Sequence, residues 1–146
     1  MFINYIKIFF LFIAVFYSCT AAKNNNRQIE KEIIKGKFTD DYSIRYTIND
    51  TLFLQEPGVR YRILLWNTTE QYIIAKNGAQ NPTEKNLYTR IDYMKFTGME
   101  PYQWGFCYTS YKAASKKEAI QTIPADRLHP KKGCNGYPFS RMKRIE

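Results

Sequence analysis

From residue 42 onward apolar and polar side chains take turns, and this alternation constrains the fold more than any other feature of the chain. Over 42–48, Tyr42, Ile44, Tyr46 and Ile48 point one way and Ser43, Arg45 and Thr47 the other. Side chains two apart share a face only in an extended strand, so a half-buried strand is expected there. Asn49-Asp50 turns the chain into a second strand at 51–55. Glu56-Pro57-Gly58 closes it, with proline setting φ and glycine taking a positive φ. Over 59–66, Val59, Tyr61, Ile63 and Leu65 alternate with Arg60, Arg62, Leu64 and Trp66. Residues 67–70 turn the chain and 71–76 return it.

Asn77-Gly78 is a tight-turn dipeptide, but the polar residues and Pro82 that follow extend the loop to residue 86. The two longest strands are expected at 87–96 and 102–111, joined by 97–101. On the second, Tyr102, Trp104, Phe106 and Tyr108 are placed on one face, and Gly105 and Cys107 on the other. A final strand covers 138–145. Two short helices interrupt the pattern. One spans 27–35, with Asn26 as N-cap, Ile29 and Ile33 on one face, and Gly36 as stop. The other spans 115–120, where Ser115 and Glu118 have capping-box spacing. The expected fold is all-β: a single small antiparallel barrel or sandwich of about seven strands with one or two short helices. A chain with 16% aromatic residues has enough apolar bulk for one core.

The other end of the chain speaks of a compartment. Residues 8–17 are ten apolar positions in a row, the length of a signal-peptide core and short for a membrane span. Export implies an oxidising environment in which disulfides persist. There are three cysteines. If Cys19 is lost to the leader or modified, Cys107 and Cys134 remain as one pair, tying a central strand to the loop before the last strand. A bridge closing such a loop is worth about 3 kcal/mol in the chain-entropy description. The alternative is that Cys107 is a buried free thiol.

The segment Ala14-Val15-Phe16-Tyr17-Ser18-Cys19 resembles the lipobox of bacterial lipoproteins: a short apolar run, a small residue at Ser18, then the cysteine. The resemblance implies an acyl anchor on Cys19 as the first mature residue. It covers residues 1–19 and is silent on the domain. It divides the chain into a signal peptide at 1–18, a tether and short helix at 19–35, and a β domain at 36–146. The polar, Asn-rich stretch after Cys19 has the composition of a flexible tether. Thr20 after the cysteine favours an outer over an inner membrane. The alternative is signal-peptidase cleavage before Ala22 or Lys23, where small residues occupy the −3 and −1 positions. That product is secreted. The order of elements is similar to a lipocalin-like plan, although the Gly-x-Trp signature of the first strand has only Gly36-Lys37-Phe38 as its counterpart.

No constellation for chemistry stands out. Zinc sites need several Cys or His ligands, and His129 is the single histidine. Asp126 lies three residues before it, but no Gly-x-Ser-x-Gly accompanies the pair. Asp40 and Asp41 are adjacent, so on a strand they would face apart rather than act as a glycosidase pair. No glycine-rich phosphate loop is present. The two Asn-x-Thr triplets, at Asn49 and Asn67, read as turns. Neither a metal, a cofactor nor an enzymatic activity is expected.

Two features remain for binding. The aromatic row Tyr102, Trp104, Phe106, Tyr108, with Trp66, either fills the core or lines a pocket for an apolar ligand. The net charge is +9, and the C-terminal stretch concentrates Lys131, Lys132, Arg141, Lys143 and Arg144. That balance favours anionic partners. Nucleic acid is a poor candidate for an exported chain with no recognition motif. The leading expectation is therefore a lipid-anchored envelope protein with a non-catalytic binding or structural role. The rivals are a secreted carrier of a small apolar ligand, and an inhibitor or immunity-type protein whose basic face meets an acidic partner.

Overall fold

The computed structural model describes residues 31–145. Cys19, the apolar run, the tether and most of the expected 27–35 helix lie outside the described residues; residues 31–33 are helical. From Ile33 onward the chain forms one unit. It contains β1 (Gly36–Thr39), β2 (Arg45–Ile48), β3 (Leu52–Gln55), β4 (Val59–Asn67), β5 (Tyr72–Asn77), β6 (Tyr88–Lys95), β7 (Tyr102–Ala113), helix α1 (Lys116–Gln121) and β8 (Ser140–Arg144). Each strand pairs antiparallel with the next, and β8 pairs with β1, so the sheet closes into a barrel. Closure removes the exposed edges that an open meander would present.

Eight strands form where about seven were expected. The addition is β1. In Gly-Lys-Phe-Thr only Phe38 is apolar and buried, too little for alternation to register. The strand expected at 42–48 starts only at Arg45. Asp40 Oδ1 accepts from the backbone N–H of Tyr42 and of Ile44, both at 2.9 Å, and folds 40–44 into a turn. Tyr42 therefore leaves the core face and is 76% exposed. The turn at Glu56-Pro57-Gly58 uses a cis Glu56–Pro57 bond, and Gly58 is not among the residues with positive φ.

Two bulges correct the sequence-based faces. Register shifts between Ile63 and Leu65 on β4. Before it Tyr61 and Ile63 point into the barrel; after it Leu65 packs outside against Tyr72 and Ile74, and Trp66 returns to the inner cluster. A second shift lies between Tyr102 and Trp104. Tyr102 pairs with Lys143 and its ring lies 4.4 Å under the Arg141 guanidinium, so it is outside, not in a row with Trp104, Phe106 and Tyr108.

The interior is filled with aromatic rings. Phe53 touches Phe106 at 5.3 Å, Tyr46 at 5.8 Å and Tyr108 at 6.2 Å between centroids, all edge-to-face, and Phe38 meets Trp104 at 5.2 Å. Such pairs add about 0.5–1.5 kcal/mol each beyond area burial.

The outer wall of β6 and β7 is buried too. The segment after β7 runs across it: α1 packs Ala119 against Tyr72, Ile74 and Ala113. Ser115 Oγ accepts from Glu118 N–H, as the capping box predicts, while the Glu118 carboxylate reaches Ala114 N–H at 2.9 Å rather than that of Ser115. Further along, Asp92, fully buried, accepts from Arg90 Nε at 3.0 Å and Nη2 at 3.1 Å, from Arg127 Nη2 at 3.0 Å and from Thr109 Oγ1. Arg127 also donates to the carbonyls of Tyr93, Glu70 and Gln71. The disulfide between Cys107 and Cys134 fastens the same segment, in agreement with the pairing expected from the cysteine count.

Candidate functional site

The fastened segment leaves a recess beside β8. A groove of about 540 Å³ is lined by Tyr42, Phe96, Met99, Pro130, Pro138 and Phe139, with Asp41, Arg141 and Lys131 as its polar groups. A second, of about 420 Å³, shares Asp41, Tyr42, Pro138 and Phe139 and adds Tyr111 and Tyr137. A shallower hollow formed by Leu128, His129, Pro130, Lys131 and Lys132 adjoins the first. Three of the most exposed apolar side chains of the described residues gather here: Leu128 at 88%, Tyr42 at 76% and Tyr137 at 74%.

Local sequence explains the recess. Gly105 faces outward on β7, and a Cβ there would meet the Phe96 ring at 2.7 Å; glycine lets that ring lie on the strand as the groove floor. The Asp40 turn projects Tyr42. Phe139 N–H donates to the Pro130 carbonyl at 2.9 Å, and Cys134 and Tyr137 form an isolated antiparallel bridge, which together hold the two prolines and Tyr137 along the rim.

The polar floor is an ion pair. Arg141 Nη2 donates to Asp41 Oδ1 at 2.7 Å and its backbone N–H to Oδ2 at 3.2 Å. Partial burial pulls the Asp41 pKa up, but the Arg141 hydrogen bonds and charge outweigh it and hold the carboxyl below its ordinary value. The same bonds raise Arg141. At neutral pH both groups are charged and mutually satisfied. Lys131 at the rim has no ion-pair partner among the described residues.

The basic residues singled out in the sequence divide. Lys131 and Arg141 meet in the groove, and Lys132 lines the neighbouring hollow. Lys143 is exposed on β8, opposite Thr39 and Tyr102. Arg144 turns away: it donates to the carbonyls of Ile33 at 2.8 Å and Lys35 at 2.9 Å and covers the Phe38 ring. Arg144 thus caps backbone and does not join a common basic face. Of the aromatic candidates, Trp104, Phe106 and Tyr108 pack inside the barrel, Trp66 packs against that cluster and donates Nε1–H to the Asp50 carbonyl, and Tyr102 is outside. Tyr42, Phe96, Tyr137 and Phe139 were not singled out. The sequence offered no pattern joining them: Tyr42, Phe96 and Phe139 fell within expected strands at 42–48, 87–96 and 138–145, and Tyr137 lay just before the last.

The interior hydroxyls are kept neutral. Tyr46 donates to Asp40 Oδ2 at 2.9 Å and Tyr108 to Gln55 Oε1 at 3.3 Å. Burial, reinforced by neighbouring hydroxyl and carboxylate charge, raises the Tyr46 and Tyr108 pKa, and burial raises Tyr61. His129 Nδ1 lies 2.7 Å from Asp126 Oδ2 on the exposed loop. That hydrogen bond is the main cause lowering the Asp126 pKa, and Asp126 Oδ1 also accepts from Leu128 N–H, as in a loop-shaping turn. Among the described residues no group of three His, Cys, Asp or Glu side chains gathers as metal ligands would, and no helix is long and apolar enough to cross a membrane. Compared with known proteins, the chain matches no family model, no curated protein and no solved structure.

Proposed function

We propose that this is an exported envelope protein, anchored by a lipid on Cys19, whose β domain binds a partner without catalysis through the groove beside β8. The observation that carries the binding half is that Tyr42 and Tyr137, both strongly exposed, line two merging grooves over Phe139 and Phe96, with exposed Leu128 on the adjoining hollow. Exposed apolar groups clustered at one place mark interaction sites. The partner presents an apolar segment with an acidic group for Lys131, because Arg141 is already neutralised by Asp41. The ring packing inside the barrel weighs against a carrier with an interior ligand. The anchoring half rests on the lipobox resemblance at Ser18-Cys19.

The test places a photo-crosslinking residue at Tyr137 in the full chain, with Thr69 as the control position, in cells carrying either wild-type Cys19 or Cys19→Ala. A discrete adduct formed from position 137 and absent from 69 supports the binding surface; equal labelling from both sinks it. Intact mass of the membrane fraction should show an acyl adduct on Cys19 that the Cys19→Ala chain lacks. A soluble product beginning at Ala22 or Lys23 would remove the anchor.

A further inference from the structure

The outer face of β3–β5 carries charge of a different kind. Arg62 on β4 stands directly opposite Lys76 on β5, and Arg60 follows two residues before Arg62, on the same face. Like charges directly opposite across a sheet destabilise it. Several other surface cations are paired: Lys35 with Asp50, Arg45 with Glu56 and Arg141 with Asp41. Arg60, Arg62 and Lys76 have no ion-pair partner among the described residues, and Lys76 reaches only the Tyr88 ring, 5.7 Å away. The three cations line one groove of about 520 Å³ that has no Asp or Glu in its wall.

The wall is built rather than accidental. Asn81, buried at 2% exposure, accepts from Arg60 N–H and donates to the Arg60 carbonyl, both at 2.9 Å. It thereby pins the 78–87 loop against β4. Asn77 Nδ2 donates to the Glu84 carbonyl at 2.9 Å and closes the loop's other side. Gly78 permits the approach, since a Cβ there would meet Asn81 Oδ1 at 2.8 Å. Asn86 and Thr51 add neutral hydrogen-bonding groups to the rim.

We infer that this groove binds a compound carrying two or more phosphate charges, held by Arg60, Arg62 and Lys76. Two arginines at i and i+2 on a strand have Cα atoms about 7 Å apart, close enough for their long side chains to converge on one multiply charged group, and the guanidinium fork matches phosphate oxygens two at a time. A bound anion removes the like-charge cost that the free protein carries. The site is independent of the groove beside β8.

The test titrates the full chain with inorganic pyrophosphate and, separately, with a short-chain cardiolipin, a lipid carrying two phosphates, below its micelle concentration. Binding is expected to weaken with added salt, and roughly tenfold in each of Arg62→Gln and Lys76→Gln, a change large enough to resolve. Without ligand these same variants should unfold at equal or higher temperature, because a repulsion has gone. Pyrophosphate binding alone identifies a free phosphate compound; short-chain lipid binding identifies a headgroup. No binding of either probe at millimolar concentration overturns the inference. So does an equal loss in Lys131→Gln, which would show a diffuse response to net charge.

Discussion

The two faces of the β6–β7 wall are both buried, and by opposite chemistry. Inside, Ile91, Tyr93, Trp104 and Phe106 meet other rings and aliphatic groups. Outside, Arg90 and Asp92 are as inaccessible as any of them, at 2% and 0% exposure, yet they are charged. The inner face needs only apolar volume that fits. The outer face works because each charge has a partner: Asp92 has two guanidinium groups, a hydroxyl and, at 3.4 Å, the Ala125 N–H, while Arg90 adds the Ile120 carbonyl and the Tyr72 ring at 3.9 Å. Buried ions of this kind stabilise little over apolar residues of equal size, but breaking one partner is costly. What they fix is position: the covering segment can sit in only one place.

The comparison breaks most sharply at its two centres. Asp92→Ala should cost about 3–5 kcal/mol in urea unfolding, because Arg90 and Arg127 lose their shared counter-charge. Phe53→Ala should cost a similar amount, about 3–5 kcal/mol, through an interior cavity. The two then part company. An Asp92→Leu, Arg90→Met double variant should recover most of the loss, as an apolar isostere of an ion pair does. If the double variant is as weak as Asp92→Ala, the outer wall is not held by charge satisfaction.

Removing the bridge comes next. Cys107→Ser with Cys134→Ser should lower stability by about 2–4 kcal/mol. Hydrogen exchange should rise in the 122–139 segment more than in β2 and β3. Uniform exchange gain would mean that the barrel and its cover unfold as one.

A pH titration sharpens the same contrast. Tyr46, Tyr61 and Tyr108 have raised folded-state pKa values, so their contribution is complete below the unfolded tyrosine value of about 10 and is lost as pH rises above it. Tyrosinate absorbance from these three should appear only together with unfolding. The smallest effect belongs to the groove floor. Asp41→Asn should cost under about 1 kcal/mol at neutral pH, since the pair is partly solvated. Asp41 has a lowered pKa, so the difference from wild type should shrink as pH falls below the ordinary aspartate value of 3.8.

The strands were legible where alternation ran unbroken. Residues 51–55, 71–76 and 102–111 correspond to β3, β5 and most of β7. The prediction failed where one side chain redirected the backbone. Asp40 made a turn of 40–44 and turned Tyr42 out. The bulge after Ile63 exchanged the faces of Leu65 and Trp66. The second bulge moved Tyr102 outside. Bulges insert one residue, and a period-two pattern has no mark for that insertion. The groove beside β8 was barely legible, because its lining comes from three separated stretches: 41–42, 96–99 and 130–141.

By itself, then, the sequence determined the all-β class, the tight antiparallel order, the capped helix after β7 and the cysteine pairing. Each follows from spacing along the chain. Tertiary structure decided closure into a barrel, the burial of Arg90 and Asp92, and which basic residues stay available. Those depend on which distant segment covers a face. In Thr-Arg-Ile-Asp-Tyr the alternation cannot show that Arg90 and Asp92 are covered; the segment after β7 makes that face an interior, through Ile120, Ala125 and Arg127, the last 35 residues beyond Asp92.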